Sequence, residues 1–140
     1  MKKKWIAICL IIALLASCLF FQNHLLRTYV SLCHEDLEHY AVQLLDSSVS
    51  ETDHYGIWKT WSHPEAGMVE FLTGGWGLAP SSTYQRFYYS ADDTHQIFSA
   101  AGDSVSMEIE GDRASWTDGT DNHGTSIRIT EKWFWFEASF

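Results

Sequence analysis

The segment from Thr73 to Ser82, TGGWGLAPSS, is the part of this 140-residue chain best suited to binding, because it presents a tryptophan among glycines. Tyr84 and Tyr88 follow it closely. An indole on a glycine-rich loop stacks on a sugar ring or fills a partner's apolar pocket. The alternative is that Trp76 folds back and covers a sheet edge. We predict Trp76, Tyr84 and Tyr88 as binding residues, with Trp76 on a loop.

Two other segments contain residue types that bind metals, but their spacing is wrong. His34 and His39 are five positions apart, which places them about 140° apart around a helix, so they cannot share one zinc ion. The polar segment 118–124, DGTDNHG, departs from the pattern of a calcium loop, and its residues are those of any tight connection between strands. The sequence therefore predicts no metal site and no cofactor.

Catalytic signatures are also missing from the sequence. There is neither G-x-S-x-G nor a cysteine with a suitably placed histidine. Glu65 with Glu70, or Asp92 with Asp93, are candidate acid and base pairs, but their spacing is equally that of surface charges. No catalytic residue is predicted, and the chain is expected not to be an enzyme.

Residues 5–21, WIAICLIIALLASCLFF, contain no charged side chain and follow Lys2, Lys3 and Lys4. A helix of that length spans roughly 25 Å, the short end of what crosses a bilayer. The lysines predict a cytoplasmic N-terminus and an extracytoplasmic remainder. Residues 15–18, LASC, also match a lipoprotein signal with Cys18 as the lipidated residue, and the small residues before Cys18 also fit a cleaved signal peptide.

The chain beyond this segment is strongly acidic. Residues 22–140 hold six of the nine Lys/Arg and all eighteen Asp/Glu, so their formal net charge is six minus eighteen, or −12. Such a domain repels nucleic acids and anionic lipid headgroups. The partners left open are the membrane, through residues 5–21, and a protein or a glycan.

The hydrophobic pattern predicts two kinds of secondary structure after the N-terminal segment 1–22. Apolar residues spaced four and three apart indicate a helix over 23–46, at Leu26, Val30, Cys33, Leu37, Tyr40 and Leu44. The stripe fits packing on a sheet, or alternatively a coiled-coil dimer. Residues 50–55 read as a polar linker. From there to residue 140 the period is two, which indicates β-strands.

Eight short strands are candidates, at 56–62, 67–73, 84–90, 95–100, 104–110, 113–117, 125–130 and 132–138. The strand at 104–110 alternates as a half-buried strand does, and Gly111 and Asp112 form a two-residue turn after it. Residues 133–136, WFWF, are apolar on both faces and predict a central strand. The expected fold is α+β, with an extracytoplasmic domain (23–140) in which one amphipathic helix packs on a meandering antiparallel sheet of about five to seven strands.

Three stretches, YGIWKTWSHPEAGMVEF (55–71), GLAPSSTYQRFYYSADD (77–93) and TDNHGTSIRITEKWFWFEASF (120–140), resemble uncharacterised small membrane-anchored proteins of clostridia-type Gram-positive bacteria. The resemblance implies an anchored topology and no particular activity. Together these observations predict a single-pass cell-membrane protein whose outer domain is a non-enzymatic binding module. The alternatives are a hydrolase of envelope glycans with paired carboxylates and a structural subunit of a membrane complex.

Overall fold

The computed structural model describes residues 2–47, 52–78, 81–97 and 105–140. The chain divides into two compact units, residues 1–33 and 34–140. Helix α1, Lys2–Asp46, contributes to both units and ends where the sequence pattern predicts. Among the described residues, no helix has a stretch long and apolar enough to cross a membrane. Several side chains of the predicted membrane segment, at 12, 15, 16 and 18–21, lie outside the described set. The anchor and the lipidation of Cys18 therefore stay predictions.

The second unit is built on one antiparallel sheet. Its strands are β1 (Thr52–Tyr55), β2 (Trp58–His63), β3 (Met68–Leu78), β4 (Ser81–Ser90), β5 (Ser106–Glu110), β6 (Arg113–Thr117), β7 (His123–Thr130) and β8 (Trp133–Ser139), with a short 3-10 helix, Pro64–Ala66, before β3. The order across the sheet is β1-β2-β3-β4-β8-β7-β6-β5. Two four-stranded meanders therefore meet where β4 pairs with β8.

This architecture confirms the α+β class and the helix on an antiparallel sheet, but the predicted number of strands is wrong. The sheet has eight, because Thr52–Tyr55, expected to be a linker, pairs with β2 as an edge strand. Residues 95–97 form no strand, and residues 98–100 lie outside the described set. The predicted strand at 104–110 begins at Ser106 and is an edge strand, with Ile109 59% exposed and not half-buried.

One face of the sheet packs against the second unit's part of α1. Leu37 and Leu44 of the predicted stripe are buried on the helix, Tyr40 is half-buried, and Ala41, which was not in the prediction, is buried beside them. The aromatic rings beneath them interlock, and those of Phe71 and Phe87 stack at 4.6 Å. Polar anchors complete the contact: the hydroxyl of Tyr40 lies 3.0 Å from Oγ1 of Thr60, and Nζ of Lys132 donates to Glu38 at 2.9 Å.

The opposite face carries a second hydrophobic core. Its buried residues are Met68, Tyr88, Trp116, Phe134, Phe136 and Ala138, and Ile97, Val105 and Phe140 pack against them. Successive side chains of a strand point to opposite faces, so Trp133 and Trp135 serve the first core while Phe134 and Phe136 serve the second. All four are buried, which confirms that the WFWF strand is central and covered on both sides.

Candidate functional site

The predicted glycine-rich loop is a hairpin, which corrects the assignment of Trp76 to a loop. Residues of β3 and β4 pair as far as the end of the hairpin, where Leu78 opposes Ser81. A register shift between Leu72 and Gly74 marks a bulge in β3. Alternating apolar residues are the usual sign of a strand, and their absence here hid the pairing.

The glycines are required by the close approach of the two strands. Gly77 has φ +137°, and a Cβ there would collide with the carbonyl oxygen of Ser81. A Cβ on Gly75 would lie 3.2 Å from the carbonyl oxygen of Thr83 and 3.3 Å from the ring of Tyr84. Side chains two positions apart share a face of a strand, so Gly74 is the neighbour before Trp76 on its own face, and it has no side chain. Trp76 is 71% exposed.

Trp76 borders two surface grooves. A groove of about 420 Å³ is lined by Leu72–Gly77 of β3 and Ser82–Tyr84 of β4. A larger one, of about 850 Å³, is lined by Trp76, Ser81, Thr83, Thr117, Thr120, Asp121, Asn122, His123, Ser139 and Phe140. Both volumes are in the range of sites that take small ligands. Because successive side chains of a strand point to opposite faces, Trp76 and Thr83 line the larger groove on one face, and Tyr84 lies at the smaller groove on the other.

Trp76 and Tyr84 both border the smaller groove, but their side chains point to opposite faces of the hairpin. Tyr84 is 38% exposed, its ring covers Gly75, and it borders the smaller groove with Trp76. Tyr88 is fully buried, so it is not part of the binding surface, and its prediction as a binding residue is wrong. Its ring stacks on Phe134 at 5.1 Å, and its hydroxyl lies 2.8 Å from Oγ of Ser126. Burial raises the pKa of Tyr88 to about 12. Tyr88 is therefore a core residue.

The larger groove has a polar wall that the sequence did not connect with Trp76. The hydroxyls of Thr83 and Ser139 lie 2.9 Å apart on neighbouring strands. The loop between β6 and β7 is fixed by Asp118, whose carboxylate accepts hydrogen bonds from Thr120 and from the amide of Asn122. These hydrogen bonds lower the pKa of Asp118 below its usual value, and the bond from Thr120 has the largest effect. A preorganised rim of hydroxyl and amide groups results.

This wall was missed because its residues are far apart in the sequence. The β4 and β8 pairing brings Ser139 beside Thr83, and the β7 and β8 pairing then brings His123 beside Ser139. The only local signal was the composition of the 118–124 loop, rich in side chains that form hydrogen bonds. That composition also fits a plain turn, so only the sheet order gives the loop a role.

A second polar cluster lies on the sheet face that carries Tyr88. Glu70 is buried, and its carboxylate accepts hydrogen bonds from Arg86 and, at 2.6 Å, from Nε2 of His63. The guanidinium of Arg86 lies 5.3 Å from the ring of Trp61 and 5.7 Å from that of Tyr84. Because both oxygens of Glu70 are occupied, this carboxylate is a structural ion pair and has no free site for acid or base chemistry.

Of the other three carboxylates considered for catalysis, Glu65 and Asp92 are exposed, and Asp93 is engaged in the same way as Glu70. Asp93, at a left-handed φ of 55°, binds the backbone N–H of Lys132 at 2.6 Å and the guanidinium of Arg128. Burial raises its pKa, but these hydrogen bonds outweigh that effect and the pKa is lowered. Asp121 is the one carboxylate among the described residues that line either groove. The described residues contain no cluster of three or more His, Cys, Asp or Glu suited to a metal ion.

Comparison with protein-family models, with curated proteins and with solved structures gave no significant match. The resemblance to anchored clostridial proteins therefore stays a prediction, and the function has to be argued from the site itself.

Proposed function

We propose that this protein is a non-enzymatic binding module, held at the outer face of the cell membrane by residues 5–21, and that the surface around Trp76 is its contact site. The observation that carries the proposal is the 71% exposure of Trp76 on a strand that is paired with β4. Large exposed aromatic side chains are concentrated at sites of recognition. Gly74, two positions before Trp76 and on the same face of β3, has no side chain for the indole to pack against.

The arrangement of carboxylates supports binding over hydrolysis. Glycoside hydrolysis requires two carboxyl groups that flank one bond, and Asp121 is the single carboxylate among the described residues of the two grooves. Glu70 and Asp93 are committed to arginine partners. The predicted hydrolase therefore gains no support from the described part of the chain.

The location is supported by the sequence. Residues 5–21 are free of charge and follow three lysines, and the domain that comes after them is too acidic to lie on an anionic bilayer surface. In this location the Trp76 surface meets molecules of the cell envelope.

Photocrosslinking in intact cells tests the contact site. A photoreactive residue is placed at position 76 of the full chain, and the control carries it at position 57, where Ile57 is 92% exposed and borders neither groove. We expect a discrete crosslinked product from position 76 alone. Equal products from both positions, or none from either, would contradict the proposal.

Topology is tested separately. Protease added to cells stripped of their wall should degrade the domain while a cytoplasmic marker survives. If the domain resists digestion under conditions that remove known surface proteins, it lies on the cytoplasmic side and the proposed topology is wrong.

A further inference from the structure

We infer that the ligand of the Trp76 surface is an uncharged oligosaccharide chain that lies against the indole and extends along the larger groove. The inference rests on the proposed function and specifies the chemical class that this site binds. It follows from three properties of the site: a flat apolar platform, a rim of neutral hydrogen-bonding groups and a strong negative charge on the surrounding domain.

The platform suits a sugar ring. A pyranose presents C–H groups on one face and hydroxyls around its edge, so it packs on a flat aromatic ring while its hydroxyls reach sideways. Trp76 offers such a ring at the border of the larger groove. It thus provides the position on which one sugar unit stacks.

The rim supplies the matching polar contacts. Hydroxyl groups line the larger groove at Ser81, Thr83, Thr117, Thr120 and Ser139, with the amide of Asn122 and the imidazole of His123 beside them. Such groups both donate and accept hydrogen bonds, as a sugar hydroxyl does. Asn122 is already oriented by its hydrogen bond to Asp118 at 2.7 Å, which lowers the entropic cost of ordering it on binding.

Charge selects among glycans. The chain after residue 21 has a formal net charge of −12, with Asp121 in the groove wall, so phosphate-bearing, sulfated and carboxylated polymers are repelled. Neither groove is lined by a lysine or an arginine among the described residues. A neutral chain is therefore favoured over an anionic one.

A peptide strand is the competing ligand, since β2 pairs with β3 only as far as Leu72 and leaves Thr73–Leu78 as an outer edge within the described sheet. That edge is poorly shaped for strand addition. The bulge after Leu72 and the φ of +137° at Gly77 interrupt the regular spacing of backbone N–H and C=O groups.

Fluorine NMR of the full chain tests the ligand class. The protein is labelled with 5-fluorotryptophan and held in a zwitterionic detergent, because alkyl glycoside detergents would compete for the site. Seven tryptophans give seven signals, and the variant Trp76→Phe identifies that of Trp76. Neutral oligosaccharides of glucose, mannose and N-acetylglucosamine are titrated from the disaccharide upward. We expect one series to shift the Trp76 signal saturably, with affinity rising with chain length.

Variants separate the site from the fold. Trp76→Ala should weaken binding by about tenfold or more, Thr83→Ala and Asn122→Ala by about threefold to tenfold, and Ile57→Ala not at all. Thermal unfolding of each variant confirms that it is folded. Binding that is unchanged in Trp76→Ala would overturn the inference, as would tighter binding of a sulfated or carboxylated chain.

The outcomes also distinguish this inference from the proposed function. If no neutral oligosaccharide moves the Trp76 signal at millimolar concentration but a peptide or an envelope extract does, the glycan assignment is wrong and the binding module stands. If neither oligosaccharides nor envelope extract move it, and position 76 gives no crosslink, both are wrong.

Discussion

The hydroxyl of Tyr88 on β4 lies 2.8 Å from Oγ of Ser126 on β7, and the intervening strand β8 passes beneath the bond. Ser126 in turn lies 2.9 Å from Nδ1 of His95, and the backbone N–H of Gln96 donates to the Tyr88 hydroxyl at 3.0 Å. The two meanders and the segment that links them therefore meet in one buried chain of hydrogen bonds. Removing one group from such a chain leaves other buried polar groups without partners, which lowers the stability of the fold.

Removing the Tyr88 hydroxyl should destabilise the domain. Tyr88→Phe leaves the Gln96 N–H and the Ser126 hydroxyl without this buried partner, so we expect the free energy of unfolding to fall by about 1–3 kcal/mol. Urea unfolding measures the change. The control is Tyr84→Phe, at a position 38% exposed, where the loss should stay below about 0.5 kcal/mol. Equal effects at both positions would refute the role given to Tyr88.

Acid should weaken the same chain through His95. With Tyr88 donating to Ser126, the Ser126 hydroxyl donates to a neutral His95. Burial, together with Arg128 on β7, lowers the pKa of His95, against smaller opposing effects of Asp112 and Asp93. A lowered pKa in the folded state means that stability is complete above about pH 6.5 and falls as pH drops through the folded value. The stability advantage of the wild type over His95→Asn should shrink from about pH 7.5 to pH 5.5, as urea titrations at each pH would reveal.

His63 should respond in the opposite direction. Its hydrogen bond to Glu70 raises the pKa of His63, although burial acts against this. The stabilisation is complete below about pH 6.5 and is lost as pH rises through the raised folded value. The difference in stability between wild type and His63→Gln should therefore decrease above neutral pH. A difference that grows with pH would contradict the charged pair.

Neutralising the Glu70 carboxylate should strongly destabilise the domain, although Gln has nearly the same size as Glu. Glu70→Gln leaves Arg86 half-buried without its counter-ion, and we expect a loss of about 2–4 kcal/mol in urea unfolding. Glu65→Gln is the matched control on the exposed 3-10 helix, and its effect should be within about 0.5 kcal/mol. The prediction fails if the two variants unfold at the same urea concentration.

The hairpin that displays Trp76 should depend on Gly77. Gly77→Ala combines an unfavourable positive φ with a collision against Ser81, so a loss above about 2 kcal/mol is expected. Gly56→Ala has a positive φ of 60° but nothing within 4 Å, and should cost about 1 kcal/mol. If the tight hairpin is as described, Gly77→Ala should also broaden or shift the fluorine signal of Trp76, while Gly56→Ala should leave it in place.

The elements with strong local patterns could be predicted from the sequence, and those fixed by distant pairing could not. The helix end at Asp46, the turn at Gly111 and the buried WFWF strand each have a signal within a few residues. The edge strand β1 is polar because it lies at the rim of the sheet. The rim of the Trp76 groove combines β4, β8 and the β6–β7 loop, and nothing local indicates that these segments meet.

The pairing of β4 with β8 has a consequence for a growing chain. The ribosome completes β1–β4 well before Trp133–Ser139 emerges, so for that interval β4 presents an unpaired backbone edge to the surroundings. Closing the sheet also requires a contact between distant parts of the chain, which is slow. The early half of the domain is therefore open to pairing with other chains until its missing neighbour arrives.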